Sequence, residues 1–473
     1  RRNISYTMCA GPEKITPEKK ELQDQSDASS SSSTVKDEKR LEQAKAVLKQ
    51  GIFYGAASVA VMVGANSFTM PHRQNRLLEL GCDTMCYGTF TSVRSMLGLI
   101  GSALMGRISD QSSYARRMCL HVGTLAALLG MVIAAETDSL EGLYYSLIPA
   151  SLFAQNFNIM KALFADYHDA LHTGPAERAA SVGTLGMSVG LAFMVGPLSG
   201  ATFIKTYTQA NRVGIIFIIL SGLLTLKVPD PVAPDNTKAI NDGHEPKKKE
   251  KKTSVSGFFA PIVDFVDVKA ARTPGALVLI LLRLCMGLAF HVFSTMWMPW
   301  AKKTYGFGPG DLGKFMSFIG LTYALSQGFI AKYLLRLFGA NKSHKARVNM
   351  ILACCVTLSV GRYFVFQTSS LMTVYALMGC VVISLGLVNT ILTADTSYLA
   401  PSDEIGSLFG ILAAVESASG MVGPLLGGYL SLLGGIHVSI GAIVVLYAIA
   451  FVLVLFGYER WILSRAPKSS SQD

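Results

Sequence analysis

Uncharged apolar stretches of about twenty residues recur along the chain between short polar connections, and that is the length at which a helix crosses a hydrocarbon core of roughly 30 Å. In lipid only a helix pairs every backbone N–H and C=O within its own segment, so each stretch predicts a helix. About twelve can be read: residues 51–70, 85–106, 118–135, 143–164, 180–203, 207–226, 275–300, 312–335, 348–366, 371–394, 405–433 and 436–458. The sixth is interrupted at its start by Gln209, Asn211 and Arg212, and the ninth contains Arg362. An even number of spans places both termini on one side.

Composition agrees with that pattern. Of 473 residues, 51% are hydrophobic and 15% charged, and 44 are glycine; a soluble chain of this length carries more charge. Lys and Arg concentrate in the connections after the even-numbered spans, roughly eighteen against roughly seven on the other face; Arg107, Arg116, Arg117, Lys247, Lys249 and Lys342 are among them. By the positive-inside tendency both termini are expected in the cytoplasm. The formal charge of +11 is then orientation bias plus a basic central loop, and no nucleic-acid partner is needed to explain it. Residues 1–50 have no apolar core of signal-peptide type, and a start at Arg1 leaves room for a missing targeting segment. Cys285, Cys354, Cys355 and Cys380 fall inside spans without metal-ligand spacing, so neither a metal nor a cofactor is expected. Cys82 and Cys86, at the mouth of the second span, could form a disulfide or remain free.

Two polar stretches divide the chain. Residues 1–49 are expected to be a disordered cytoplasmic tail, apart from an amphipathic helix over 35–49. Residues 228–273, with Lys247, Lys248, Lys249, Lys251 and Lys252, form a cytoplasmic linker between six-helix bundles at 50–227 and 274–459, and a short cytoplasmic tail covers 460–473. The lysine cluster could touch anionic headgroups or simply be solvated. The halves are related by an internal repeat. Gly183 aligns with Gly410, Met194-Val195-Gly196-Pro197-Leu198 with Met421-Val422-Gly423-Pro424-Leu425, and Gly200 with Gly427, all at an offset of 227 residues. Gly88, Phe90 and Ser92 of the second span match Gly313, Phe315 and Ser317 of the eighth. The chain therefore reads as an all-α membrane protein of twelve helices in two pseudo-symmetric six-helix bundles. Rocking two such bundles about a central site supplies the two states a carrier needs. Gly186, Gly190, Gly196 and Pro197 would serve either that motion or plain tight packing.

These residues resemble the major facilitator superfamily over about residues 50–460. Gly186-x3-Gly190-x5-Gly196-Pro197-x2-Gly200 is similar to the fifth-span signature of drug:proton antiporters. Gly106-Arg-Ile-Ser-Asp110, followed by Arg116 and Arg117, resembles the signature between spans two and three. The resemblance implies that these groups, with Asp166 at the end of span four, latch cytoplasmic helix ends and gate the inward opening. Departures are Gln111 and Ser113 within the motif, an arginine pair about two residues late, and Ile148 or Pro149 where antiporters carry a basic residue in span four. Gly313-Lys-Phe-Met-Ser-Phe-Ile-Gly320 and Gln327-Gly328 resemble the tetracycline-carrier-like and organic-cation-transporter-like members. What this implies is a secondary transporter, working as a monomer on a small organic solute by alternating access, with protons as a candidate coupling ion.

Ionisable side chains within a bilayer are costly, so each is a functional candidate. Arg94 lies about nine residues into the second span, too deep to reach the interface comfortably. Arg283 could face the cavity or snorkel. Glu416, mid-span beside the Gly-Pro motif, could take up a proton or pair with Arg94 or Arg283. His291 could titrate or bond a backbone carbonyl. Gln155 is the favoured amide among Asn66, Gln155, Asn156 and Asn158, while Lys161 suits a structural ion pair with an acidic loop group. Arg94, Gln155, Arg283, His291 and Glu416 are thus expected around one cavity, and the basic bias hints at an anionic or zwitterionic solute. A receptor on the same fold is the rival reading. An intramembrane enzyme ranks last, since no nucleophile elbow, phosphate loop or His-rich metal set lies in the spans.

Overall fold

The computed structural model describes residues 17–171, 175–231, 269–340, 343–396, 399 and 405–465. Lys342 and the lysine cluster at Lys247 to Lys252 lie outside them. Among the described residues there is no strand. The helices are α1 Pro17–Glu79, α2 Thr84–Ser109, α3 Ser113–Glu136, α4 Leu140–Phe153, α5 Asn156–Ala170, α6 Pro175–Phe203, α7 Tyr207–Leu226, α8 Pro274–Tyr305, α9 Pro309–Leu325, α10 Ala331–Leu337, α11 His344–Val365, α12 Leu371–Thr396 and α13 Ile405–Leu453.

Local chemistry explains where they start and stop. Asp83, Ser112, Ser139, Thr206, Thr273 and Ser343 each accept a hydrogen bond from the backbone N–H three residues on, capping the helix that follows. Gly306 ends α8 in the left-handed region, with φ of 68°. Gly435, at φ 66°, breaks α13 so that it turns back as two spans. Two spans are broken inside the membrane. The fourth is interrupted between α4 and α5 at Ala154 and Gln155, and the eighth passes from α9 to α10 through a π-helical segment, Ser326–Ile330. Counting each broken span once and α13 as two gives twelve.

The first helix extends further at both ends than the hydrophobic pattern suggests. It begins at Pro17, so the polar stretch read as a largely unstructured tail is helical from there and continuous with the first span; a helix already nucleated by a packed span propagates at little further entropic cost. It ends at Glu79, nine residues beyond the last apolar position of the predicted span, and so carries Arg73 on a membrane helix.

α1 packs on α6 and α7, and α3 on α4 and α7; α8 packs on α13, and α11 on α12. Two bundles result. They meet along α2 against α13 and α6 against α9, and the repeat explains how. A methyl group on Gly88 would lie 2.3 Å from the carbonyl oxygen of Pro424, and one on Gly313 would lie 2.5 Å from that of Pro197. Each Gly-Pro motif therefore presses its proline carbonyl onto a glycine of the opposite bundle. Ser317 Oγ donates to the Met194 carbonyl (2.7 Å), and Ser92 Oγ accepts from the Leu425 N–H (3.1 Å). Lys302 Nζ donates to Asn75 Oδ1 at 2.9 Å on the same face.

These contacts all lie toward the face opposite the linker. Toward the linker face the bundles part: nothing lies within 4 Å of a methyl group built on Gly183, Gly186 or Gly190 of the fifth span, Gly328 of the eighth or Gly410 of the eleventh. The structure is thus closed on one face and open on the other. Tight packing holds at Gly196 and Gly200, against Ser67 and Phe68 of α1, and at Gly423 and Gly427, against His291 and Val292 of α8. It does not hold at Gly186 and Gly190, which face the opening. Cys82 and Cys86 form a disulfide at the closed face, with Cα atoms 5.2 Å apart.

Candidate functional site

Three adjoining cavities occupy the centre. One of about 330 Å³ lies in the first bundle, lined by Asn66, Arg73, Arg94, Gln155 and Tyr207 among others. A second, of about 450 Å³, lies in the second bundle with Arg283, His291, Tyr323, Asn389 and Glu416 in its wall. A third, of about 320 Å³, bridges them toward the closed face. Arg73 and Arg94 border the first and third, whereas Phe290, His291 and Phe293 border the second and third. All five residues singled out in the sequence line these neighbouring cavities, Arg94 and Gln155 on the first-bundle side and Arg283, His291 and Glu416 on the second.

In the second bundle Arg283 and Glu416 satisfy each other. Arg283 Nη1 donates to Glu416 Oε1 and to Asn389 Oδ1, both at 2.9 Å, and Nη2 donates to Thr393 Oγ1 at 3.1 Å. Asn389 Nδ2 and Gln327 Nε2 in turn donate to the Tyr323 hydroxyl, at 3.0 and 2.8 Å. Gln327 belongs to the π-helical segment of the eighth span, where the altered repeat re-aims side chains. Arg283 therefore does not snorkel; its partner is Glu416, which remains 54% exposed toward the cavity. His291 sits where spans seven, eleven and two meet, since a methyl group on Gly420 would find His291 Nε2 at 3.4 Å and Ser95 Oγ at 3.7 Å.

The first bundle presents a different wall. Arg94 lies ten residues along α2, about 15 Å in at helical rise, and it is exposed into the cavity rather than packed away. Arg73 stands on α1 and lines the same two cavities as Arg94. Tyr87 and Tyr207 are their other close neighbours. Among the described residues neither arginine has a carboxylate partner. Gln155 lies at the break in the fourth span, its Nε2 donating to Gly98 O (3.3 Å) and Ser151 O (3.0 Å), and its Oε1 accepting from Asn158 Nδ2 (3.4 Å). Lys161 meets no acidic group among the described residues; its ammonium lies 3.9 Å from the centroid of the Phe157 ring.

At the open face the expected gating residues cluster. Arg116 pairs with Asp166 and approaches Asp110 at 3.6 Å, and Arg117 pairs with Asp230 just beyond span six. Gly106 lies in the last turn of α2 with open space around it. The second bundle repeats the arrangement with residues the hydrophobic pattern passes over. Arg347 Nη1 donates to Asp395 Oδ1 at 2.6 Å, and the Tyr458 hydroxyl donates to Asp395 Oδ2 at 2.6 Å. Arg347 opens span nine and Asp395 ends span ten as Arg116 opens span three and Asp166 lies near the end of span four, although at offsets of 231 and 229 residues rather than 227. Arg362, the charge inside span nine, is 2% exposed; it lies between the Phe293 and Tyr447 rings and donates to the Tyr447 hydroxyl.

Comparison with known proteins agrees with this architecture. A sequence model described as Major Facilitator Superfamily matches residues 170–424. Among curated proteins, solute carrier family 22 member 18 of Mus musculus is 23% identical over 355 residues, covering 74% of this chain and 82% of that protein. Tetracycline resistance protein, class C, of Escherichia coli is 22% identical over 341 residues, covering 72% and 78%. Among solved structures, the human organic anion transporter MFSD10 superposes with a TM-score of 0.58 at 16% identity, covering 86% of this chain and 99% of that one. A bacterial homologue of the human lysosomal transporter Spinster, inward-facing and occupied, gives 0.63 at 12% identity, covering 88% and 97%. With more than half of its length matched by the family model, and with two repeated six-helix bundles closed on one face around a polar centre, the chain belongs to the major facilitator superfamily.

Proposed function

We propose that this protein is a secondary transporter that carries a small organic solute across a bilayer by alternating access. The observation that carries the reading is the asymmetric closure: the bundles touch through Gly88, Pro424, Pro197 and Gly313 on one face and part on the other, around a cavity bordered by Arg94, Gln155, Arg283, His291 and Glu416. A scaffold or enzyme needs no such half-closed centre. Rocking about the glycine-carbonyl contacts would exchange this state for its opposite.

The linker face is read as cytoplasmic, together with both termini. Two independent features support this orientation. Basic residues concentrate on that face, and the Cys82 to Cys86 disulfide lies on the other, where an oxidising compartment would preserve it. The domain limits follow the same reading, with bundles at 50–227 and 274–459 joined by a cytoplasmic linker.

Glu416 is the candidate for proton coupling. Protonating it would remove the negative partner of Arg283 and release the guanidinium into the cavity beside His291. Solute flux in proteoliposomes tests both parts. The wild-type protein is expected to move solute and to respond to an imposed pH gradient, whereas Glu416→Gln keeps flux but loses the response. A protein that binds solute and never moves it is a receptor, and a Gln variant with wild-type pH dependence would leave Glu416 as a structural partner only.

A further inference from the structure

We infer that Arg73 and Arg94 form a clamp for the anionic group of the solute, and that the bridging cavity above them takes its compact apolar body. This rests on the transport reading and narrows its solute to an organic anion. Both arginines border the two cavities nearest the first bundle, and no Asp or Glu lines either cavity. Two cations on the walls of the same cavities, without a carboxylate among the lining residues, are costly in a membrane span unless an anion joins them.

A second observation points to a ligand in the same place. Gln74 and Trp297 line the bridging cavity, are 7% and 3% exposed, and have Gln74 Oε1 and Trp297 Nε1 buried without a hydrogen-bond partner. Buried polar atoms are nearly always paired, so an orphaned acceptor and an orphaned indole donor on two residues that line one cavity are groups a polar guest would satisfy once those side chains turn toward it. The rest of that wall is mainly apolar and aromatic, with Thr91, His291, Ser294 and Thr295 among it. Trp297 stacks on Phe315 with centroids 4.7 Å apart, and Phe90 and Phe293 lie beside them. About 320 Å³ suits one or two fused rings better than a long chain. An organic cation, the solute class of one subgroup that the eighth span resembles, would enter against two guanidinium groups.

The test uses the full chain in detergent and four probes: 1-naphthaleneacetate, its neutral amide, 1-naphthylmethylammonium and laurate. Binding is read by equilibrium titration and by quenching of Trp297 in a Trp300→Phe, Trp461→Phe background. The expected order is naphthaleneacetate at least about tenfold tighter than the amide, the ammonium weakest, and loss of that preference in both Arg73→Gln and Arg94→Gln. Arginine-dependent binding of laurate in place of naphthaleneacetate would keep the clamp and assign it to fatty-acid anions. Equal binding of the neutral and anionic naphthyl probes by the wild-type protein, or no binding of any anion, overturns the proposal whether or not the variants fold. Flux separates the two readings. Charge-selective binding without flux in proteoliposomes would sink transport and leave the clamp, whereas flux unaffected by either arginine variant would sink the clamp and leave transport.

Discussion

The two bundles arise from one repeat, yet they treat their buried arginines in opposite ways. Arg94 and Arg283 each lie about ten residues along a helix that enters from an opposite face, so both reach the middle of the membrane. Arg283 is held by a carboxylate, an amide and a hydroxyl; Arg94 faces the cavity with Arg73 as its charged neighbour. A cation in a span is tolerated when its counter-charge is built in or when one arrives from outside. The second bundle pairs its cavity arginine Arg283 with Glu416, which suits it to switching by protonation, and encloses Arg362 between aromatic rings, whereas the first leaves Arg73 and Arg94 on the cavity wall for a guest. One duplicated scaffold can thus divide coupling and recognition between its halves.

The same asymmetry holds at the open face, and there it predicts the largest effect. Asp395 is fully buried between Arg347 and Tyr458, while Asp166 remains 25% exposed beside Arg116. Removing one member of a buried pair strands the other, at a cost of roughly 3–5 kcal/mol. Asp395→Ala is expected to lose that much stability in a denaturant titration in detergent, and Asp166→Ala clearly less. Equal losses would mean that the two clusters are energetically alike and that the difference in burial has no consequence.

A subtler measurement addresses the cavity walls directly. If Glu416 neutralises Arg283, then Arg283→Gln alone leaves a carboxylate facing the solute and should weaken anion binding. The Arg283→Gln, Glu416→Gln double variant should recover it. A cycle of the two substitutions is expected to show a coupling of roughly 0.5–3 kcal/mol in anion affinity. Additive effects would indicate that the pair acts on the solute as two independent charges.

Much of this was legible in the chain, and the remainder was hidden for identifiable reasons. Length and apolarity alone find eight candidate helices among the described residues, one of them holding two spans; the second, fourth and eighth spans escape that criterion. Those three carry Arg94, Gln155 and Gln327; the fourth and eighth are broken, whereas spans seven, ten and eleven carry Arg283, Asn389 and Glu416 and stay apolar enough to qualify. The repeat, the Gly-Pro motifs and the match of Gly88 to Gly313 were visible in the sequence; that each proline carbonyl meets a glycine of the opposite bundle appears only in the fold. Arg73 escaped because it follows the last apolar residue of the first span, and only the folded helix carries it to Glu79. Asp395 escaped at the end of span ten, because it lies 229 rather than 227 residues after Asp166 and the repeat offset read from the Gly-Pro motifs does not reach it. The pairing of Arg283 with Glu416 depends on how spans seven and eleven cross, which no single-helix pattern contains.

Gln155 sets the smallest expected effect and the finest test of the contrast between the walls. It shares a cavity with Arg94, but its amide nitrogen already donates to Gly98 and Ser151, and its oxygen accepts from Asn158. Those bonds tie the broken fourth span to the second. Side-chain hydrogen bonds between membrane helices average about 0.6 kcal/mol in double-mutant cycles, so Gln155→Leu should lower stability by about that amount. Its effect on anion affinity should stay within about threefold, because less than one hydrogen bond to the solute is at stake. A loss as large as that of Arg94→Gln would place the Gln155 amide on the solute and make the polar break, rather than the arginine pair alone, the recognition element of the first bundle.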